Sequence, residues 1–571
     1  MKVLILDFYV DEPACFGVPP YISPYVRYTA GALVCGGLQE ENIDYLSVDA
    51  LRENAFQLEE EYGSIFLIMG STVPGKYLGG RIGTVADLYK FLENLYKQNK
   101  HAVCIIGGPI RYASSEIKEE IKKRRGILVR GDIEHYAEIY PSLKKEQFKE
   151  KFIDNPLKQK RTYDDVNRYA KSGAFITLKH PNYPYLILEL ETYRGCTRDI
   201  YCSFCTEAFY GRPSFRDIAG ILQEVKELYN LGNSYFRLGR QADIMTYLPN
   251  MQDFSNSFPR PNPENLLKLY RGIRETAPNL KLLHLDNINP GLIATFPKES
   301  AEILDIISEY NTEGDTAAMG LESMDPLVIQ KNDLKCSPEE AKLAIRLVNK
   351  YGAKRKNGIP KLLPGLNFIG GLPGEDKNTF KKNYEFLKDL LEEGLLLRRI
   401  NIRQVILYDK TKAARMGNKV NTILENRFAY YRDKIRKEID EPMLKITYPS
   451  GSILENVILE QKNNGYYLGR QLGSYPITVK IPAPKNELPL KNKPVNILIT
   501  GHAERSIKGL SYPINPNSLT DLCYREIPGI SKTLASKTIL SSPFSNEKEF
   551  AEKAPEAYHH TIKLTKEIIF H

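Results

Sequence analysis

No stretch of about 18 apolar residues occurs in the 571-residue sequence, so no transmembrane helix is expected. The opening "MKVLILDFYVDEP" holds one lysine and a short apolar run that meets Asp7 at once. It reads as a first β-strand and lacks the build of a signal peptide. Cysteine is scarce, eight residues in all, too few for a disulfide scaffold. A cytoplasmic chain is expected, in which clustered cysteines bind metal or do redox chemistry. There is no internal repeat and no low-complexity tract, which argues against a solenoid or a mainly disordered protein. Tryptophan is absent, and that excludes nothing. Neither sign of charge dominates: 79 Lys and Arg against 70 Asp and Glu give +9, a mild lean towards a polyanionic partner.

What is present is an ordinary globular composition, 42% hydrophobic and 26% charged, over a length that suits about three or four domains. Residues 1–140 alternate short apolar strands ("KVLILDFYV", "DYLSVDAL", "SIFLIMGS", "HAVCIIGGP", "GILVRG") with helical segments such as "TVADLYKFLENLYKQNK". That alternation predicts a parallel, doubly wound, Rossmann-like sheet with its ligand edge at Gly70, Ser71, Thr72, Gly107, Gly108 and Pro109. Residues 141–182, rich in lysine and polar groups, read as a linker. Over 183–440 six strands ("YLILELET", "YFRLG", "KLLHLDNI", "TAAMGLES", "GLNFIGGLP", "NIRQVILYD") separated by helices predict a partial (β/α)6 barrel with its site at the strand carboxyl ends. Residues 441–510 ("MLKITY", "SILENVILEQ", "GYYLGRQL", "PITVKIPA", "PVNILITGHA") read as a small β-barrel, and 511–571 as helical. The expected fold class is therefore α/β and multidomain.

Three cysteines, Cys196, Cys202 and Cys205, fall within "RGCTRDIYCSFCTE" at C-x5-C-x2-C spacing, just after the first barrel strand. Structural zinc closes with four ligands, and a fourth would have to come from afar, from His180, His284 or Cys336. A cubane iron–sulfur cluster can instead take three thiolates and leave one iron open to a small molecule. Incidental cysteines are the remaining reading.

The motif resembles the cluster motif of the radical S-adenosylmethionine (radical SAM) superfamily, with Phe204 at the aromatic position before the third cysteine. Its first interval is five residues where the family usually has three. "YFRLGRQADIMTY", "MGLESMDPLVIQK", "GLNFIGGLPGEDKNTF" and "NIRQVILYDKT" follow in the order of the family's later strand motifs and look like its methylthiotransferase branch, with Asn367 in place of an acidic residue. The resemblance implies that Cys196, Cys202 and Cys205 ligate a [4Fe-4S] cluster whose open iron chelates SAM, and that one electron then yields a 5'-deoxyadenosyl radical. It implies that Gly239 and Gln241 meet the SAM amino group, Glu322 and Ser323 its ribose or methionyl part, Gly370 and Gly371 (with Gly374) its adenine, and Arg403 its carboxylate. An external electron donor is implied as well.

Residues 1–140 resemble the cobalamin-binding domain that precedes many radical SAM barrels, with "CIIGGP" and "ILVRGDIEHYAEIY" as cues but no Asp-x-His-x-x-Gly loop. Cobalamin is thus a possible further cofactor. A second cluster on Cys15, Cys35 and Cys104 is the less favoured reading, since Cys104 lies in an apolar strand. The small barrel resembles a TRAM-type RNA-binding domain, with Tyr466, Tyr467, Arg470, Lys480, Arg505 and Lys508 as contributors. "YREIPGISKTLASKTIL" resembles a helix-hairpin-helix motif whose tight turn aims backbone N–H groups at a phosphate. That implies nucleic-acid contacts at Gly529, Ser531, Lys532 and Lys537, or else a protein-interaction module. The whole looks like an archaeal radical SAM group with a C-terminal helix-hairpin-helix.

Three functions are compatible with these residues. The first is a radical SAM enzyme, of transferase type, that modifies tRNA or rRNA by methylthiolation or methylation. The second is a cobalamin-dependent radical SAM methyltransferase acting on a protein or small molecule. The third is a non-enzymatic Fe–S nucleic-acid-binding protein.

Overall fold

The computed structural model describes residues 2–10, 19–70, 76–99, 101–143, 160–417, 422–491 and 493–570. The chain forms two compact units, Met1–Asn287 with Ile406–Met416, and Ile288–Val405 with Gly417–His571.

In the first unit, strands β1 (Val3–Asp7), β3 (Ile43–Ser47), β4 (Ser64–Ile68), β5 (Val103–Gly107) and β6 (Ile127–Leu128) form a five-stranded parallel sheet in the order β3-β1-β4-β5-β6. This 2-1-3-4-5 order is the flavodoxin-like variant of the doubly wound fold, whose switch point lies between β1 and β4. A second parallel sheet takes β7 (Ile187–Glu191), β10 (Tyr235–Gly239) and β11 (Leu282–Leu285), the first three strands expected of the partial barrel. Its edge strand is β2 (Tyr21–Ile22), which pairs with β7. Residues 1–140 thus contribute a strand to the barrel sheet.

Helix α1 (Pro24–Cys35) follows that edge strand, and its residues Pro24 to Leu33 are all buried. It packs on α2 (Tyr163–Ser172), a helix inside the stretch expected to be a linker. The reason is local: Thr162 and Asp165 form a capping box, and Val166, Tyr169 and Ala170 make a buried stripe at helical spacing. A buried ion triad ties α1 to α3 (Ile218–Asn230): Glu224 receives Arg27 at 2.9 Å and Arg216 at 2.5 Å.

In the second unit, β12 (Asp315–Glu322), β13 (Leu362–Gly370) and β14 (Arg399–Gln404) pair in parallel as a three-stranded sheet of their own, built from the segments expected as the fourth to sixth barrel strands. Helix α4 (Thr422–Ile435) follows. "MLKIT", expected as a strand, is helical within Glu441–Thr447, because Met443 and Thr447 bury one helical face. A closed barrel then takes β15 (Ile453–Asn463), β16 (Tyr466–Gln471), β17 (Thr478–Pro482), β18 (Val495–His502) and β19 (Ser506–Tyr512) in the order β15-β16-β17-β19-β18. A five-stranded barrel with one parallel contact, β17 with β19, has the Greek-key wiring of an OB-fold. Four helices end the chain: α5 (Asp521–Arg525), α6 (Lys532–Ser541), α7 (Glu547–Lys553) and α8 (Pro555–Leu564). They pack on the barrel through a core containing Leu498, Leu510, Cys523, Ile527, Ala535 and Phe550.

Candidate functional site

All three clustered cysteines lie on one loop whose neck is a short antiparallel pair, β8 (Tyr193–Arg194) with β9 (Ser214–Phe215). Gly195 enters the loop at φ +87, and a Cβ there would stand 3.0 Å from the Gly211 carbonyl oxygen, so the neck requires glycine. Cys202 is buried, Cys196 and Cys205 half-buried. The Cys205 N–H donates to the Cys202 carbonyl at 3.1 Å. Burial, with Cys202, Glu207 and Cys196 nearby, pushes the Cys205 thiol well above its usual range. Arg198 Nη1 donates to Cys202 Sγ at 3.3 Å, an arrangement suited to a thiolate.

The five-residue first interval has a physical explanation. Thr197 Oγ1 donates to Thr246 Oγ1 at 3.1 Å, and the N–H groups of Asp199 and Ile200 reach Ser257, at 3.3 Å to its carbonyl and 3.1 Å to its hydroxyl. Ser257 sits in the turn between strands Asn250–Ser255 and Phe258–Arg260, and the Arg198 guanidinium lies 5.3 Å from the Phe258 ring. The two extra residues therefore dock the loop onto a hairpin of the same unit. Among the described residues, no trio of His, Cys, Asp or Glu is drawn together around a point where one metal ion would sit. A cubane differs in giving each thiolate its own iron, and three thiols on one loop with an Arg donor fit that donor set. Of the fourth ligands considered for zinc, His180 is buried, accepts from the Asn182 N–H at 3.1 Å and is pushed down to about 3 by burial, His284 is buried on β11, and Cys336 is buried in the second unit.

At the end of β10, a Cβ on Gly239 would meet Glu189 at 2.5 Å. The amide of Gln241 is taken, accepting from Thr192 Oγ1 and donating to the Leu238 carbonyl, both at 3.2 Å. Both residues, expected to meet SAM, are engaged in packing here. Phe204 is half-buried.

In the second unit the strand ends are less settled. Glu322 ends β12 at φ +66, next to a register shift, and is buried. Burial pushes its carboxyl up to about 7, against the pull of Lys335 at 3.9 Å, and Oε2 has no hydrogen-bond partner among the described residues. Ser323 instead accepts from the Asp325 N–H at 3.2 Å and shapes the following turn. A cavity of about 230 Å³ opens beside Gly370 and Gly371, with Phe380, Phe428, Gln404 and Glu375 in its wall. A Cβ on Gly370 would stand 2.5 Å from the Phe428 ring. Glu375 accepts from the Gly371 N–H at 2.9 and 2.8 Å, and burial pushes its carboxyl up to about 7. Aromatic rings and a carboxyl around such a cavity suit a planar heterocycle. Arg403 is exposed on β14, and Asn367 accepts from Arg399 and Asn401 at 3.2 and 3.3 Å. Sequence reasoning missed Arg198, Glu375 and Phe428; the first two lay inside quoted motifs, while the third comes from a distant helix.

In the C-terminal modules, Tyr467 is a barrel-core residue and Arg470 is buried in a two-pronged pair with Glu460 at 2.9 and 2.7 Å, so neither is a surface contact. Tyr466 is half-exposed under Lys480, 3.9 Å from its ring centre, and Arg505 is exposed. Lys508 pairs with Glu526 at 3.3 Å. The hairpin between α5 and α6 turns at Gly529, φ +93, against the His560 ring. Ser531, expected to add a phosphate contact, uses its hydroxyl to cap α6 through the Leu534 N–H at 3.2 Å. Lys532 and Lys537 are exposed. For the second-cluster reading, Cys104 is fully buried on β5, the Cys35 thiol lies 3.6 Å from Ser172 Oγ, and Cys15 lies outside the described residues. Ser71 and Thr72 of the expected ligand edge also lie outside them. Gly107 and Gly108 pack closely, against Ile133 and the Met69 carbonyl.

Three cysteines on one loop at the end of the first barrel strand, with six barrel strands in family order, define a radical SAM protein. Residues 190–387 match the radical SAM superfamily, and the chain belongs to it. It is 40% identical over 523 residues to an uncharacterized protein of Methanocaldococcus jannaschii (MJ0274), covering 89% of this chain and 93% of that one. It is 37% identical over 524 residues to an uncharacterized protein of Archaeoglobus fulgidus, covering 91% and 92%. Among solved structures it resembles the radical S-adenosylmethionine methyltransferase TsrM from Kitasatospora setae (13% identity, 72% of this chain and 77% of that one, TM-score 0.45). It also resembles the cobalamin-dependent S-adenosylmethionine radical enzyme OxsB (13%, 76% and 56%, TM-score 0.44). The cofactors of the superfamily are a [4Fe-4S] cluster and SAM, which together supply one-electron cleavage of a carbon–sulfur bond. Cys196, Cys202 and Cys205 would hold the cluster. Among the described residues, no helix is long and apolar enough to cross a membrane.

Proposed function

We propose that this radical SAM enzyme modifies RNA, transferring a methyl or methylthio group to a tRNA or rRNA nucleotide with an electron from an external donor. The observation that carries the reading is the OB-type barrel followed by a tight turn between two helices, which resembles a helix-hairpin-helix. In OB-folds the strand 2–3 face and the loop between strands 4 and 5 bind single strands. On this barrel those positions hold Tyr466 with Lys480 over its ring, and Arg505. A stacked aromatic with adjacent cations suits a base and its phosphate. Lys532 and Lys537 add charge beside the Gly529 turn. The protein's own share of the work is positional: the loop neck at Gly195 sets the three thiols, and the cavity at Gly370 and Gly371 accepts a purine.

The test is mass spectrometry of total RNA nucleosides from a strain lacking the gene, with complementation by the parent and by Cys202→Ala. The expected result is one modified nucleoside lost and restored only by the parent. An unchanged profile would overturn the RNA reading. The flavodoxin-like sheet favours a second reading, a cobalamin-dependent methyltransferase with a protein or small-molecule substrate. Cobalt retained through anaerobic purification, together with an unchanged RNA profile, would favour it.

A further inference from the structure

Behind the neck of the cysteine loop the first unit holds a small cavity of about 50 Å³ that the radical chemistry does not use. Four cationic side chains line it, Lys160, Arg161, Arg194 and Arg212, against one carboxylate, Glu191. Glu191 is already claimed, accepting from Arg161 Nη2 at 2.6 Å and from the Tyr163 hydroxyl at 3.0 Å. Arg194 Nη1 lies 2.9 Å from both oxygens of Asp132, and Arg161 Nε faces Glu134 at 3.2 Å. Both guanidinium groups are buried, yet Arg161 Nη1 and Arg194 Nη2 have no hydrogen-bond partner among the described residues. A buried charged donor left unbonded is costly.

We propose that this cavity is a binding site for a phosphoryl group. Its size is right: one buried water needs roughly 10–15 Å³ of such space, so the cavity holds about four water-sized atoms, the number of oxygens in a phosphate. Its chemistry is right as well, because forked guanidinium donors match phosphate oxygens and the carboxylate present is neutralised by its own partners. Arg212 and Lys160 are exposed, and Lys160 Nζ donates to the Tyr210 carbonyl at 2.8 Å. An occupant would touch Arg194, two residues before Cys196, and Arg212, two residues before β9, and so would fasten both arms of the neck. The site stands apart from the RNA reading, since a free phosphate and a nucleic-acid phosphate share this chemistry.

The test uses the full chain and inorganic phosphate at ionic strength held constant with chloride, reading the thermal midpoint and iron uptake on anaerobic reconstitution. The expected result is a saturable rise in midpoint. Arg212→Gln, at an exposed position that leaves the fold intact, should weaken the apparent affinity about threefold to fivefold. Arg161→Gln should weaken it at least about tenfold; if that variant does not fold, Arg212→Gln decides alone. Dimethyl phosphate and methyl phosphate separate the sources: binding of the diester points to a nucleic-acid backbone, binding of the monoester alone to a free or terminal phosphate. No saturable effect of phosphate, or parent-like titration by Arg212→Gln, overturns the proposal. An unchanged RNA profile in the deletion strain would leave it standing.

Discussion

Glu322→Gln isolates the cost of holding a carboxyl at the end of β12. In the folded chain burial raises this group from 4.5 to about 7, while in the unfolded chain it titrates at its ordinary value. Below pH 4.5 it is protonated in both states and costs nothing. As pH rises from 4.5 to 7 the unfolded chain releases the proton first, so stability falls, and above pH 7 the penalty is constant. Two and a half decades of proton affinity correspond to a ceiling of about 3 kcal/mol. Glutamine keeps the shape and the left-handed backbone but cannot ionise. The variant should therefore match the parent near pH 4.5 and exceed it by about 2–3 kcal/mol at pH 8.5, a rise in thermal midpoint of about 4–8 °C. Differential scanning calorimetry at the two pH values, with SAM affinity measured beside it, reads both effects. A gain in stability with a loss of SAM binding is expected of a group retained for function. A variant no more stable than the parent at pH 8.5 would refute the reasoning.

Further expectations follow from the geometry of each module. Gly195→Ala forces a Cβ against the Gly211 carbonyl at positive φ, a strain of about 1–3 kcal/mol, and iron bound per chain after reconstitution should drop. Cys202→Ala should abolish SAM cleavage while far-ultraviolet circular dichroism stays that of the parent. Arg470→Met leaves Glu460 buried and unpaired, a loss of about 3–5 kcal/mol in denaturant unfolding, with the salt slope of RNA binding unchanged. Lys480→Ala should behave in the opposite way, keeping stability and lowering the salt slope by about 0.7.

Much of the architecture was legible because it rests on period. Five of the six strands expected of the barrel and the five expected N-terminal ones are short apolar runs between turn residues, and these runs form parallel strands in both units; the sixth, Arg399–Gln404, is mostly polar and begins before the apolar run that marked it. Where period fails, so does the reading. "MLKIT" is too short to tell alternation from one helical turn, and the two-residue edge strand at Tyr21 has no period at all. The helix at Tyr163 announced itself through its Thr162–Asp165 capping box, outvoted by a lysine-rich neighbourhood. The cysteine motif carried the site because its donors are local in sequence. Arg470 was misjudged because its partner, Glu460, stands on the neighbouring strand, and sequence spacing cannot report cross-strand pairing. Phe428 was invisible for the same reason.

Buried charge separates structure from function in this chain once the completeness of its pairing is considered. Arg216, fully buried, bonds through all three of its nitrogens: to Asn167 at 2.7 Å, to Glu224 at 2.5 Å and to the Gly220 carbonyl at 3.0 Å. Arg237 joins Glu189 at 2.7 Å and Asp286 at 2.5 Å across three strands. Pairing as complete as that of Arg216 holds elements together and asks for nothing further. Glu322, with a bare oxygen on a left-handed backbone, and Arg161 with Arg194, each with a bare nitrogen, are held at a cost that folding alone does not recover. Their open valences differ in sign: an acceptor at the end of β12, which suits a ligand with hydroxyl or ammonium donors, and donors behind the cysteine loop, which suit an oxyanion. If the bare oxygen of Glu322 were a mere imperfection of packing, neutralising it would raise stability with no change in SAM affinity, and Glu322→Gln measures that difference; Arg161→Gln also strips Glu191 of its partner, so for that group the phosphate titration decides.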